Sequence, residues 1–93
     1  MRLKLKYIAT FRYVTGKRSE ELEVKDSFKL ADLLDLLVKR YGEKFRELVF
    51  DKDGGLNEYS MVLVNGKVVN QEKLKLNLKD GDTVCFLPFV DGG

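Results

Sequence analysis

An α+β fold, with a mixed sheet wrapped around one main helix, is the class the sequence predicts, and three observations predict it. Period-2 alternation near the N-terminus marks a half-buried strand, with a second alternating run at hairpin distance. Leucines at helical spacing between Ser27 and Gly42 mark one amphipathic helix. An Asn65-Gly66 pair flanked by β-branched residues marks another hairpin, ahead of an apolar final strand.

Leu3, Leu5, Tyr7, Ala9 and Phe11 alternate with Arg2, Lys4 and Lys6, so the first strand is expected over residues 3–11. Ile8 falls in register with the lysines and is expected outside the core. The segment Tyr13–Lys17 ends the strand, with Gly16 free to take a positive φ. Glu21–Lys25 alternates again, which predicts an antiparallel neighbour of the first strand. Glu20, Glu21 and Glu23 read as the solvated face of that strand.

Leu30, Leu33, Leu34, Leu37 and Tyr41 share one helical stripe. Ser27 is a candidate N-cap without a capping box, Lys39 and Arg40 suit the negative end of the helix dipole, and Gly42 suits the residue after the last turn. Residues 43–60 read two ways, because FRELVF either extends the helical region or begins a short strand. Asp51–Gly55 is a turn, and Lys79–Asp82 another. In the run Thr83–Phe89, Val84 and Phe86 face one way and Cys85, Leu87 and Phe89 the other. Pro88 belongs at the end of that strand, where no N–H donor is needed. The last strand is apolar enough for a central position. The order β-β-α-β-(β)-β with one main helix is the β-grasp arrangement.

Composition narrows function. At 93 residues the chain holds one domain. It has no His, the usual neutral-pH proton carrier and commonest metal ligand, so a self-contained enzyme is hard to build. Lys and Arg number 17 against 15 Asp and Glu, with the signs interspersed, which offers no basic stripe for nucleic acid. The lone Cys85 makes no internal disulfide and fits a reducing compartment; in an apolar strand it reads as structural rather than as a sulfur relay. MRLKLKYIATF alternates, so neither a signal peptide nor a membrane span is expected, and a cytoplasmic location is. No metal site is expected: Asp51, Asp53 and Glu58 do not have calcium-loop spacing. Gly54-Gly55 lacks the Gly-Lys-Ser/Thr of a phosphate loop.

The most informative residues are Pro88-Phe89-Val90-Asp91-Gly92-Gly93. A terminal diglycine directly after a strong strand divides the chain into a domain over 1–88 and a flexible tail over 89–93. YIATFRYVTG, KLADLLDLLVKRYG, VLVNGKVV and LKDGDTVCFLPFVDGG follow in that order, and with them the chain resembles the MoaD-type small subunit of molybdopterin synthase, a sulfur carrier of the ubiquitin-like superfamily. GDxVxFxPxVxGG is the specific part of the match. Phe89 and Asp91 stand where the family commonly has a second Pro and a small residue, a departure that bears on how the tail fits a partner channel.

The resemblance implies that Gly93 carries the chemistry. An E1-like, MoeB-like enzyme would adenylate its carboxylate with ATP and Mg, and sulfur would then replace AMP to give a thiocarboxylate. The tail, with Gly92, would enter a MoaE-like large subunit for molybdenum cofactor biosynthesis. The chain would bind no cofactor itself, and would be monomeric alone and heterotetrameric in the complex. Glycines suit such a tail because the missing Cβ gives a thin thread and close backbone approach. The resemblance also places a partner surface at Ile8, Val68 and Leu87, continued by Phe89, Val90 and Asp91. The same diglycine serves two other roles, a ubiquitin-like modifier joined through Gly93 to lysines and a ThiS-like carrier for thiazole synthesis. The tail does not separate them.

Overall fold

The computed structural model describes residues 1–89. Its elements are β1 (Arg2–Tyr7), α1 (Thr10–Thr15), β2 (Ser19–Glu23), α2 (Leu30–Tyr41), α3 (Glu43–Val49), β3 (Ser60–Val64), β4 (Lys67–Val68), a 3-10 turn (Gln71–Lys75) and β5 (Thr83–Pro88). The sheet order is β2-β1-β5-β3-β4. β1 and β5 pair in parallel at the centre, with Leu5 opposite Val84 and Tyr7 opposite Phe86, and the remaining pairs are antiparallel. This is the expected β-grasp arrangement, with the last strand central.

Period-2 burial explains the packing. Leu3, Leu5, Tyr7, Val62, Val64, Val84 and Phe86 project from one sheet face and are buried against Leu30, Leu33, Leu34 and Leu37 of α2. Phe86 lies at the middle of an aromatic cluster, its ring 5.7 Å from Tyr7 and 5.6 Å from both Phe11 and Phe45. The strand that leads to the C-terminus is therefore fastened by the core almost to its end. The Asn65-Gly66 turn has φ 52° and 84°, the two positive values its sequence predicts.

Three expectations need correction, and one open reading is resolved. β1 ends at Tyr7 rather than Phe11, because Ala9 turns the chain with φ 54° and α1 follows. Phe11 still reaches the core, but from a helix, while Ala9 is exposed. The link between the first two strands is thus a helical connection, closed by Gly16 at φ 77°. The open reading of 43–60 resolves as α3, which buries Phe45 and Val49. α2 begins at Leu30, not Ser27, and the Asp32 carboxylate accepts the Lys29 N–H at 2.9 Å. Glu20 shares the inward parity of Leu22 and is drawn under the sheet edge, its side chain 11% exposed.

Candidate functional site

β5 is the element that positions the candidate site. It runs through the middle of the sheet to Pro88, opposite Ser60, and Phe89 then donates its N–H to the Tyr59 carbonyl at 2.8 Å. The Phe89 ring is 52% exposed. Val90, Asp91, Gly92 and Gly93 lie outside the described residues.

The sheet face opposite α2 carries the other predicted positions. Register places Lys6, Cys85, Leu63 and Val68 in one row across four strands, and Leu87 beside Met61 in the next. Ile8 donates its N–H to the Phe86 carbonyl at 2.9 Å, which sets it next to Leu87. Ile8 is 45% and Val68 61% exposed, whereas Leu87, Cys85, Met61 and Leu63 are half-buried. An apolar patch therefore spans the three predicted residues and reaches the foot of the tail. Met61 and Leu63 belong to it although sequence reasoning did not single them out. Their alternation with the inward Val62 and Val64 was the available signal.

Charge frames the patch. On its β2 side lie Lys4 and Lys6, with Glu21 and Glu23 beyond them, and Arg2 pairs with Glu23 at 3.0 Å. Ile8 also lines a cleft of about 430 Å³ whose rim holds Lys6, Arg12 and Arg18. None of these three cations lies within 4.0 Å of a carboxylate among the described residues. Burial pushes the Cys85 thiol up, and the opposing pull of Lys6 does not reverse it. A thiol kept protonated is a poor nucleophile, so Cys85 acts as a small apolar side chain in this sheet.

Elsewhere, the Asp51 carboxylate accepts N–H groups of Asp53 and Gly55 at 2.9 and 3.0 Å, so it organises its own turn. Among the described residues no cluster of three or more His, Cys, Asp or Glu side chains is placed to hold a metal ion. No helix there is long and apolar enough to cross a membrane. What the arrangement offers among the described residues is a packed domain whose exposed apolar face lies beside the end of the central strand β5.

These features define a ubiquitin-like β-grasp protein. The chain belongs to the ThiS family, whose model matches residues 5–93. It is 36% identical over its whole length to the small archaeal modifier protein 3 of Haloferax volcanii, which it also covers fully. Among solved structures, small archaeal modifier protein 1 of Haloferax volcanii superposes with a TM-score of 0.81 at 29% identity, all of both chains being covered. A Pyrococcus furiosus protein provisionally named molybdopterin converting factor, subunit 1, gives 0.77 at 36% identity, over 97% of this chain and 99% of that one. A chain from the BexX/CysO complex of Amycolatopsis orientalis gives 0.73 at 28% identity, over 98% and 99%. The group comprises small ubiquitin-like sulfur carriers and modifiers, one of which was solved in a complex with another protein.

Proposed function

We propose that the chain is a ubiquitin-like protein modifier, joined through the carboxylate of Gly93 to lysine amines of other proteins. A free carboxylate is a poor electrophile, so an E1-like partner first transfers AMP to it from ATP with Mg, releasing pyrophosphate. A lysine amine then displaces AMP to leave an isopeptide bond. The observation that carries this reading is the 36% identity, across the full length of both chains, to a small archaeal modifier protein. In this reading the apolar face at Ile8, Val68 and Leu87 docks the activating enzyme, and Phe89, Val90, Asp91 and Gly92 thread its channel.

A second reading is supported by the equal identity to the Pyrococcus protein named for molybdopterin conversion. There the same adenylate is opened by sulfur, and the resulting Gly93 thiocarboxylate serves a MoaE-like large subunit of molybdopterin synthase after activation by a MoeB-like enzyme. One chain can serve both ends, because adenylation precedes either step.

Mass spectrometry distinguishes them. The last basic residue is Lys79, so trypsin leaves residues 80–93 attached to any modified lysine. Such branched peptides on other proteins from native cells are the expected result, and they vanish when Gly93 is deleted. Their absence, with an intact mass raised by one oxygen exchanged for sulfur, overturns the modifier reading in favour of the carrier.

A further inference from the structure

The segment between α3 and β3 holds the tail's point of departure. A helix leaves its last carbonyls without partners, and in α3 three consecutive ones are taken by this segment and the first residue of β3. Val49 O accepts the Asn57 N–H at 2.7 Å, Glu47 O accepts the Asn57 side-chain amide at 3.1 Å, and Leu48 O accepts the Ser60 hydroxyl at 2.6 Å. The Asn57 side-chain oxygen in turn accepts the Tyr59 N–H at 2.8 Å. Tyr59 is 72% exposed, so side-chain packing does little to hold it, and its N–H is held by the Asn57 side chain. Its carbonyl accepts the Phe89 N–H.

Pro88 gives this bond its weight. It has no N–H, so the next donor inward from Phe89 belongs to Leu87, opposite Met61. With the Phe89 bond made, the strand is held against β3 through residue 89; with it lost, the last donor facing β3 among the described residues is that of Leu87, two residues earlier.

We propose that Asn57 is a positioning residue for the reactive C-terminus, coupling the end of α3 through Tyr59 to Phe89 and so setting where the tail starts and how far it reaches. This rests on the reading of Gly93 as the activated group. It assigns a function to the 43–60 segment beyond filling the core, since a partner that docks on the outer face meets a terminus of defined origin. Holding a reacting group in place acts on the chemical step rather than on docking.

The full-length chain tests this by amide hydrogen exchange and by pyrophosphate exchange with its activating enzyme. Asn57→Ala removes the side-chain bonds to Glu47 O and to the Tyr59 N–H, and the Phe89 amide should then exchange about five- to tenfold faster, the size of effect one hydrogen bond carries, while the Ile8 amide is unchanged. kcat should fall severalfold with KM within about twofold, because the docking face is intact. Ser60→Ala removes the Leu48 bond at the same helix end but leaves the Tyr59 N–H held, and should leave kcat near wild type. A purely structural role for the end of α3 would move both variants alike and overturns the proposal. So does unchanged Phe89 exchange in a folded Asn57→Ala, or faster exchange with unchanged kcat. If Asn57→Ala does not fold, Asn57→Asp decides: it keeps the acceptor for the Tyr59 N–H, so Phe89 protection and kcat near wild type support the latch and their loss overturns it. A wild-type chain that is never adenylated has a different signature. That result sinks the function assigned to Gly93, and with it the coupling to chemistry, while Phe89 exchange still reports the latch itself.

Discussion

Glu20 has more partners than any other carboxylate in the described residues. It accepts the Tyr7 hydroxyl at 2.6 Å and the Tyr41 hydroxyl, and it pairs with Arg40 at 3.3 Å and Lys17 at 3.6 Å. Partial burial alone would raise its pKa, but the two tyrosine hydroxyls, Lys17 and Arg40 together outweigh it and hold the carboxyl below its ordinary value. Burial in turn pushes the Tyr7 phenol well above its usual range, with Glu20 adding to the effect, so Tyr7 remains a donor at all ordinary pH. The cluster ties β2, β1 and the last turn of α2 together at one corner. A depressed folded-state pKa contributes stability that is present above the unfolded value and lost as pH falls through the folded one. Glu20→Gln should therefore be less stable than wild type near pH 7, and the gap should close as pH drops below about 4.3. Glu20→Ala strands the buried Tyr7 hydroxyl and should cost about 1–3 kcal/mol at neutral pH. Urea denaturation of both variants across pH 3–7 checks this (roughly the titration range of carboxylates), and a gap independent of pH would show that the charge on Glu20 is immaterial.

At the scale of elements, the β3–β4 hairpin shows how a two-residue signal becomes a joint. Asn65 and Gly66 supply the positive φ values, and the Asn65 side chain also binds the start of β5. Its amide donates to Asp82 at 2.8 Å, and its oxygen accepts the Thr83 N–H at 2.9 Å. A Cβ on Gly66 would meet nothing within 4 Å, so Gly66→Ala should cost only the backbone strain, about 1 kcal/mol. Asn65→Ala loses the turn preference and both ties to β5, and should cost about 1–3 kcal/mol. Equal losses in thermal or urea denaturation would show that the ties contribute nothing. This hairpin, α2 and the central β5 were legible because each follows from a local rule of turn chemistry or periodicity. α1 and α3 were not. They have six and seven residues, too short to be helical by propensity alone, and they persist because Phe11 and Phe45 are buried on Phe86. Phe11 moreover falls on the parity of β1, so alternation mistook a helical residue for a strand one. In the site, parity placed Ile8 and Leu87 on the outer face, and the diglycine pointed to Gly93 as the group proposed to react. Asn57 left no trace, because its importance lies in which carbonyls a loop meets in space, and no period in the sequence encodes that.

For the molecule as a whole, the two faces of one sheet divide stability from the recognition proposed for it. The inner face is closed over by α2 and α3, and removing a ring from its centre should be severe: Phe86→Ala loses contacts with Tyr7, Phe11 and Phe45 together and should cost about 3–5 kcal/mol. The outer face carries Ile8 and Val68 in solvent, with Leu87, Met61 and Leu63 half-buried among them. Isolated exposed apolar residues are ordinary, but a contiguous patch running to the foot of the tail is the kind that partners cover. Since the fold does not depend on Ile8 as it does on Phe86, the double variant Ile8→Asp, Leu87→Asp should keep its secondary structure by circular dichroism while its affinity for the activating enzyme falls at least about tenfold. Because two buried carboxylates at an interface lack partners, the loss should appear mainly in the dissociation rate. Lys39→Asp, a charge reversal on the exposed side of α2 and so on the far side of the sheet, should leave binding within about twofold. A folded double variant with undiminished affinity would mean that recognition rests on the tail alone. The domain would then serve only to carry it, and the apolar face would need another explanation.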